Sequence, residues 1–378
     1  MGGPGWDTFA QRRLFHPLKD GGLGIASVEL VAAAAHSASW CGVAEEVVNR
    51  IGLPSVAVLR AEVPWAEACL AVAEALAANV SGDPLEPATA QTRANALSQK
   101  ALTQARVKNE VAEAFRQLEG DPPAAAQLHS SGGPGAAGWL LSPKRPAHYF
   151  RDEQLSVAIR LRFGLAVPRP LGICQHIKAS GQVCGAGLDT RVLHAMTCQA
   201  GGWSIRRHDA ACKCVAAYAE LQGCSAEREV VLPLAAPTRP LARMDVVVHS
   251  RTSSGQASNL DITVVSPLTA EMIRGGGAAR NPGAAARAAA AHKRALYPNI
   301  PVVPLVIETF GRWGEDARAW ALGLAPPPLL GRTEAMAGFY QDVSAAVQKA
   351  NADAIMAAAV RSRAGAAPSA LQAVAGAG

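Results

Sequence analysis

Aromatic residues and charges are both scarce in this chain of 378 residues, at 5% and 17%, and long apolar runs are absent. Together with 49% hydrophobic residues, so few charges exclude a largely disordered chain. No apolar stretch reaches the ~18 residues of a membrane span, so we expect no membrane-embedded segment. The first residues lack a basic segment followed by an apolar one, so we expect no secretion signal and a nuclear or cytoplasmic protein.

Cysteines are the most informative residues that are present, because six of the eight fall within 51 residues. Without a secretion signal, such a cluster favours metal binding over disulfides. The spacing Cys174-x9-Cys184-x9-His194-x3-Cys198 supplies three thiolates and one imidazole, the ligand types of a four-coordinate zinc site. The first spacing is loose, so His176 is an alternative to Cys174. Buried free cysteines are the alternative to a zinc site.

The periodicity of apolar residues divides the chain into segments. We expect N-terminal helices at about 27–50, 64–80 and 88–119, and clusters of Pro and Gly predict a linker after them. The predicted organisation is a helical region at 1–120, a linker at 121–143, a basic segment with a zinc knuckle at 144–200, an αβββαβ domain at 201–325, a C-terminal helix at 326–362 and a disordered tail at 363–378.

The αβββαβ domain rests on alternating helix and strand patterns. We expect a helix at 203–222, strands at 228–234, 243–249 and 259–265, a helix at 282–297 capped by Asn281 with Pro282 in its first turn, a strand at 301–308 and a helix at 314–323. The polar loop 250–258 is expected to join two of the strands as a hairpin. The predicted fold class is therefore α+β.

Two aspartates lie inside otherwise apolar strands of this domain. Burying Asp245 or Asp261 without a partner would be costly, so the two predict a divalent-cation site. If the hairpin is centred on Ser254, Asp261 pairs with Val247, and the two carboxylates lie diagonally on one face. A one-residue slip would separate them. The alternative is two aspartates that face solvent at strand ends.

Further charged residues accompany this pair. Glu227 or Glu229 on the preceding strand would add a carboxylate, and Lys293 on the following helix would supply a cation near a scissile phosphate. The net charge of +6 and a pI of about 9.0 suit a polyanionic partner. A basic segment with two aromatic residues fits phosphate contact and base stacking as well as it fits an ordinary basic surface. Its cations are Lys144, Arg145, Arg151, Arg160, Arg162 and Arg169.

The order of these features resembles the C-terminal region of site-specific non-LTR retrotransposon polyproteins, in which a CCHC zinc knuckle precedes a restriction-like endonuclease. The resemblance covers most of the chain and is strongest from 174 to 313. The stretches that carry it are Gly21-Gly22-Leu23-Gly24-Ile25, the Cys/His cluster, Arg206-Arg207-His208-Asp209, Asp245, Leu260-Asp261-Ile262-Thr263-Val264-Val265, His292-Lys293-Arg294-Ala295-Leu296-Tyr297 and Ile307-Glu308-Thr309-Phe310-Gly311-Arg312-Trp313.

The resemblance implies a thumb-like helical remnant, a zinc knuckle and a PD-(D/E)XK-like nuclease core. It implies structural Zn and catalytic Mg²⁺, with Asp245 and Asp261 as magnesium ligands. Lys293 and Glu229 would join them as catalytic residues, and His208 belongs to an Arg-His pair that the family places near its active site. The implied activity is Mg²⁺-dependent DNA nicking that primes reverse transcription, with DNA and the element's RNA as partners and no membrane association.

The sequence also departs from the family. Met244 stands where the family usually has Pro, and Thr263 stands two residues after the second acid, where related nucleases carry Lys. The polymerase motif Tyr/Phe-x-Asp-Asp is absent from the sequence, so we expect that this chain does not polymerise DNA by itself. We interpret it as a fragment or a degenerate copy of an element protein, or as an incomplete gene model. The alternative function is a catalytically decayed nucleic-acid-binding fragment of a reverse transcriptase-like protein.

Overall fold

A computed structural model describes residues 7–81, 99–167, 172–188, 192–232, 242–249, 257–326 and 331–365. The fold is α+β, as the sequence predicts, with 61% helix and 12% strand, so helices form most of its surface and core. The chain divides into two compact units. The main unit contains the described residues of 1–10, 18–21 and 120–378, and the N-terminal unit contains those of 11–17 and 22–119.

The N-terminal unit is helical, as expected. The short helix α1 (Thr8–Arg13) crosses the boundary between the units, and α2 (Val28–Ile51), α3 (Val56–Glu62), α4 (Pro64–Ser81) and α5 (Gln99–Gln117) follow. The Ser27 hydroxyl accepts a hydrogen bond from the Leu30 N–H and so caps α2. Gly52, at φ 75°, ends that helix in a left-handed conformation that suits glycine. The predicted helix 88–119 is confirmed only over α5, because 82–98 lie outside the described residues.

A four-stranded sheet organises the main unit. Its strands are β3 (Ser225–Val231), β4 (Arg243–His249), β5 (Ser258–Val265) and β6 (Val302–Glu308), in that spatial order. The first three are antiparallel, and β6 runs parallel to β5. A parallel neighbour requires a crossover connection, which contains α10 (Ala270–Arg274), α11 (Gly277–Arg280) and α12 (Ala284–Leu296). Three predicted strands are therefore confirmed as β4, β5 and β6. The predicted strand 228–234 is confirmed only over 228–231, because β3 begins earlier, at Ser225, and 233–234 lie outside the described residues, as does the loop at 250–256.

Helices cover both faces of this sheet. On one face, α9 (Trp203–Leu221), α13 (Glu315–Leu324) and α14 (Arg332–Gly365) pack on alternate strand residues such as Val246, Leu260 and Leu305. On the other face, Ala286 and Ala290 of α12 pack against Val306. The helix α9 confirms the expected helix 203–222, and α14 confirms the expected C-terminal helix 326–362 from Arg332 onwards. The helix continues through 363–365, the start of the predicted disordered tail, and the rest of that tail lies outside the described residues.

The start of α12 differs from the prediction, because its N-cap is Gly283, at φ 78°, and not Asn281. Its first turn is anchored from β6: the buried carboxylate of Glu308 accepts a hydrogen bond from the Ala286 N–H at 3.3 Å. Burial raises the pKa of Glu308. An acidic group at this position complements the positive end of the helix.

The segment 121–143 is not the linker that its Pro and Gly content predicts. Pro122–Ser131 form α6, with the Asp121 carboxylate capping the Ala124 N–H at 3.1 Å. Proline is tolerated in the first helical turn, so the Pro pair starts this helix. Gly135 lies against Trp313, where a Cβ would come within 2.4 Å of the indole. The small residues therefore allow close packing inside the main unit.

The expected boundaries at 200 and 325 also differ from the structure, which places 120–365 in one compact unit. The helix α7 (Asp152–Phe163), the Cys/His segment and α14 share one hydrophobic cluster, to which Val157, Cys174, Met196 and Ile355 belong. The basic segment and the Cys/His segment are thus built into the same core as the C-terminal helix. Within the described residues, none of the helices is long and apolar enough to cross a membrane.

Candidate functional site

The Cys/His cluster is assembled by a short hairpin and a helix turn. Strands β1 (Gly172–Ile173) and β2 (Gly187–Leu188) pair antiparallel. Next to them, the Cys174 N–H donates to the Ala186 carbonyl at 2.7 Å. The Cys184 N–H donates to the His176 carbonyl at 2.8 Å. These bonds bring Cys174 and Cys184 side by side. The helix α8 (Leu193–Thr197) carries His194, and Cys198 follows at its C-terminal end.

The ligand atoms of Cys174, Cys184, His194 and Cys198 all lie within 4.8 Å of one another. The Cys198 sulfur lies 3.8 Å from that of Cys174 and 3.7 Å from that of Cys184. His194 Nε2 lies 3.3 Å from the Cys184 sulfur. Two thiolates bound tetrahedrally to one zinc at ~2.3 Å lie about 3.8 Å apart. The structure thus brings together the four predicted ligands in a cluster compatible with zinc.

His176, the alternative to Cys174, lies outside this cluster. Its buried ring packs near Trp203, with 6.4 Å between ring centroids. Burial raises the pKa of the Cys174 thiol to about 12, while a backbone hydrogen bond involving Ala186 lowers the pKa of Cys184. A bound cation would offset the cost of keeping buried thiolates.

The five predicted catalytic residues line a single cavity of about 1210 Å³. Asp245 lies on β4 and Asp261 on β5, and Glu229 reaches it from β3. His208 projects into it from α9 and Lys293 from α12. Residues from three strands and two helices, far apart in sequence, therefore meet at one place.

The observed strand register differs by two residues from the predicted one. Val247 pairs with Asn259, not with Asp261, so extending the register places Asp261 directly opposite Asp245. The prediction erred because the polar loop gives no signal for the centre of its turn. An even shift keeps side chains on the same face, so the two aspartates still share a face.

The sheet is irregular at this row of carboxylates. The β4–β5 pairing stops at Val246 and Leu260. Beyond it, the Ile262 N–H donates to the side chain of Asp245 at 2.6 Å. On the other side, Glu229 would face Asp245, but it breaks the β3–β4 pairing with a left-handed φ of 58°. The backbone pairing on both sides of β4 is thus interrupted at Asp245, by its own side chain towards β5 and by the backbone of Glu229 towards β3.

Each aspartate is matched by a cation of the chain. Lys293 Nζ lies 2.7 Å from Asp261 Oδ1, and the Asp261 side chain is only 5% exposed. His208 Nε2 lies 3.1 Å from Asp245 Oδ2, and this contact is the main cause that raises the pKa of His208 to about 11. His208 is therefore positively charged at neutral pH. Glu229, in contrast, is exposed and pairs with Arg243 at 2.9 Å.

The neighbouring Arg207 points away from the cavity. Its guanidinium is buried and donates to the Met196 carbonyl at 3.0 Å and to the Asn351 side chain at 2.7 Å. Burial lowers the pKa of Arg207 to about 10. The Asn351 and Gln348 amides both donate to the Thr309 carbonyl, so this polar network holds α14 against the end of β6. Of the Arg-His pair, Arg207 therefore stabilises the fold, and His208 lines the cavity.

The basic segment uses much of its charge within the fold. Arg145 pairs with Asp342 at 2.8 Å, and Arg151 pairs with Asp353 at 2.7 Å. Arg162 is buried and donates to the carbonyls of Ser131 and Leu18. Arg169 lies outside the described residues. These contacts favour the interpretation as an ordinary basic surface over dedicated phosphate contacts.

Sequence reasoning missed Cys212, which lies one helical turn after His208. Its sulfur is 3.6 Å from His208 Nε2. The spacing His208-x3-Cys212 repeats that of His194-x3-Cys198, which was the available signal.

In the comparisons with known proteins, no family model matches the chain, and no curated protein sequence matches it.

Proposed function

We propose that the sheet with α9 and α12 is a PD-(D/E)XK-like nuclease core and that the protein is a metal-dependent DNA endonuclease derived from a non-LTR retrotransposon polyprotein. The observation that carries the proposal is the convergence of Asp245, Asp261 and Lys293 on one cavity. The αβββαβ order supports it, because β4, β5 and α12 are the elements from which such a core presents its acids and its lysine.

The chemistry of the donors suits the cofactor that the resemblance implies. Asp245 and Asp261 offer carboxylate oxygens, the ligands that Mg²⁺ prefers, and they would hold the ion between them. When bound, Mg²⁺ lowers the pKa of water and offsets charge that develops on the phosphate. In the metal-free protein, His208 and Lys293 supply the two positive charges that balance these carboxylates.

The chain's own cations have roles in this reaction. The ammonium group of Lys293 can donate a hydrogen bond to the attacking water and orient it towards the phosphorus. The imidazolium of His208 keeps its proton at neutral pH and can donate to a phosphate oxygen, where negative charge develops in the transition state. The Cys/His cluster is proposed as a structural zinc site that shapes the DNA-binding surface and takes no part in the chemistry.

A plasmid-nicking assay with Mg²⁺ or with EDTA tests this function. The parent protein should nick supercoiled DNA only with Mg²⁺. Asp245→Asn and Asp261→Asn should abolish nicking, and Lys293→Ala should slow it. The matched control is Asp152→Asn, which removes an exposed carboxylate at the start of α7 and should nick like the parent. Equal nicking by the Asp261→Asn variant and the parent would refute the site.

The second candidate function is a nucleic-acid-binding module whose nuclease has decayed. Two observations favour it: Met244 replaces the family's Pro, and both carboxylates are already neutralised by cations of the chain. In that case the parent protein would bind DNA without nicking it under any metal condition. Gel-shift titration beside the nicking assay separates the two functions.

A further inference from the structure

The spacing His-x3-Cys occurs twice in this chain, and both copies lie on helix turns. His194 and Cys198 belong to the four-ligand cluster already described. His208 and Cys212 lie on α9, where residues four apart share one face of the helix. A histidine and a cysteine presented in this way form half of a transition-metal site, and the other half must come from another element.

The strand β4 supplies the third group. The ligand atoms of His208, Cys212 and Asp245 lie within 4.8 Å of one another. His208 Nε2 is 3.1 Å from Asp245 Oδ2 and 3.6 Å from the Cys212 sulfur. Zinc bound tetrahedrally by these ligand types would space nitrogen and oxygen about 3.4 Å apart and nitrogen and sulfur about 3.6 Å apart. The two distances from His208 Nε2 are therefore close to those that one ion requires, and the Cys212 sulfur and the Asp245 oxygen lie within 4.8 Å of each other.

Neighbouring groups support two of these ligands. The Asp209 carboxylate lies 3.4 Å from His208 Nδ1, the ring nitrogen that a metal at Nε2 would leave free. The Asp245 carboxylate accepts the Ile262 N–H at 2.6 Å, which fixes its orientation. A carboxylate behind the histidine and a hydrogen bond to the acidic ligand are usual around protein-bound zinc.

We propose that His208, Cys212 and Asp245 bind one zinc ion in a three-ligand site whose fourth position opens into the cavity. His208 and Asp245 line that cavity, while Cys212 is buried behind them. A thiolate and an imidazole select a borderline transition metal over Mg²⁺. Binding would require His208 Nε2 to release its proton to solvent, because only neutral imidazole is a ligand.

This inference shares Asp245 and His208 with the proposed function, and with zinc bound His208 would serve as a ligand and not as a donor to phosphate. It assigns a metal class to one side of the cavity and needs no nuclease activity. The three-ligand site also differs from the Cys/His cluster. A closed set of four protein ligands is structural, whereas three ligands leave a position for water or substrate.

Metal content of the full-length, reduced protein loaded with Zn²⁺ alone tests the site. After desalting, the parent should retain two zinc ions per chain. Cys212→Ser and Cys184→Ser should each retain one, and the double variant none. The matched control is Cys214→Ser, because Cys214 lies on the same helix and belongs to neither cluster. That variant should retain two.

Cobalt provides a second readout. With Co²⁺ in place of Zn²⁺, thiolate-to-metal absorption should fall by about a quarter in Cys212→Ser, because Cys212 is one of the four cysteine ligands of the two sites. If Cys212→Ser does not fold, as judged by circular dichroism, His208→Gln should lose the same zinc ion while keeping the buried thiol. A parent that retains one zinc ion, with no loss in Cys212→Ser and His208→Gln, would overturn the inference. Nicking with Mg²⁺ by such a parent would leave the nuclease proposal intact, whereas two zinc ions without nicking would refute the nuclease and not this site.

Discussion

Replacing Asp261 by asparagine tests the electrostatics of the cavity directly. Asparagine keeps the shape of the side chain and removes its charge. The Asp261 carboxylate is 5% exposed and lies 2.7 Å from Lys293 Nζ, while the Lys293 side chain is 24% exposed. The variant therefore leaves a mostly buried ammonium group without its carboxylate, and the expected result is a loss of stability.

The size of this loss follows from the burial. Breaking a fully buried ion pair on one side costs about 3–5 kcal/mol. Because Lys293 keeps some contact with water, we expect about 1–3 kcal/mol for Asp261→Asn. At roughly 2–4 °C per kcal/mol for a domain of this size, the melting temperature should fall by roughly 2–12 °C.

Thermal unfolding at pH 7 with EDTA, followed by circular dichroism, measures the effect. The double variant Asp261→Asn/Lys293→Met should recover part of the loss, because it removes the unpaired charge. The control is Asp316→Asn, which breaks the more exposed pair between Asp316 and Arg294 and should cost about 0–1 kcal/mol. If Asp261→Asn is as stable as the parent or more stable, the carboxylate is not paired with Lys293, and repulsion between the two aspartates dominates the cavity.

Three further predictions follow from other parts of the fold. Cys184→Ser should make 172–198 sensitive to limited proteolysis in zinc-loaded protein, and fragments mapped by mass spectrometry should begin or end there; an unchanged digest would contradict it. Arg207→Met should cost about 2–4 kcal/mol in urea unfolding, because the Asn351 side-chain oxygen and the Met196 carbonyl lose this donor. Burial lowers the pKa of His16 to about 4, so the folded protein favours the neutral imidazole. This contribution to the free energy of unfolding is complete above pH 6.5 and is lost as the pH falls towards 4. That amounts to about 3 kcal/mol, and His16→Asn should flatten the stability–pH curve over this range.

Sequence patterns predicted the elements of this fold well. The strands at 243–249 and 259–265 are short, apolar and β-branched, and a polar loop joins them, so periodicity alone identified them. The zinc-type cluster was also predictable, because ligand types and spacing are written in the sequence. The register was not, because the side chains of the loop place no constraint on which residue forms the turn.

Tertiary context decided the features that the patterns missed. Pro122 and Gly135 were interpreted as breakers of structure, whereas one starts a helix and the other makes room for the Trp313 ring. The left-handed backbone of Glu229 has no local sequence signal, since glycine and asparagine are the residues that usually mark it. The role of Cys212 depends on a strand that begins some 30 residues later.

The direction in which Lys293 points depends on its position along the crossover helix α12. Its first turn is tied to β6 through Glu308, and Lys293 lies near its other end against β5. Each residue of an α-helix advances the side-chain direction by about 100°. One residue inserted between these two points would turn Lys293 out of the cavity, whereas any substitution that keeps the length would leave its direction unchanged. The position of Lys293 is therefore hard to alter by single substitutions. An insertion or deletion in α12 would change it at once.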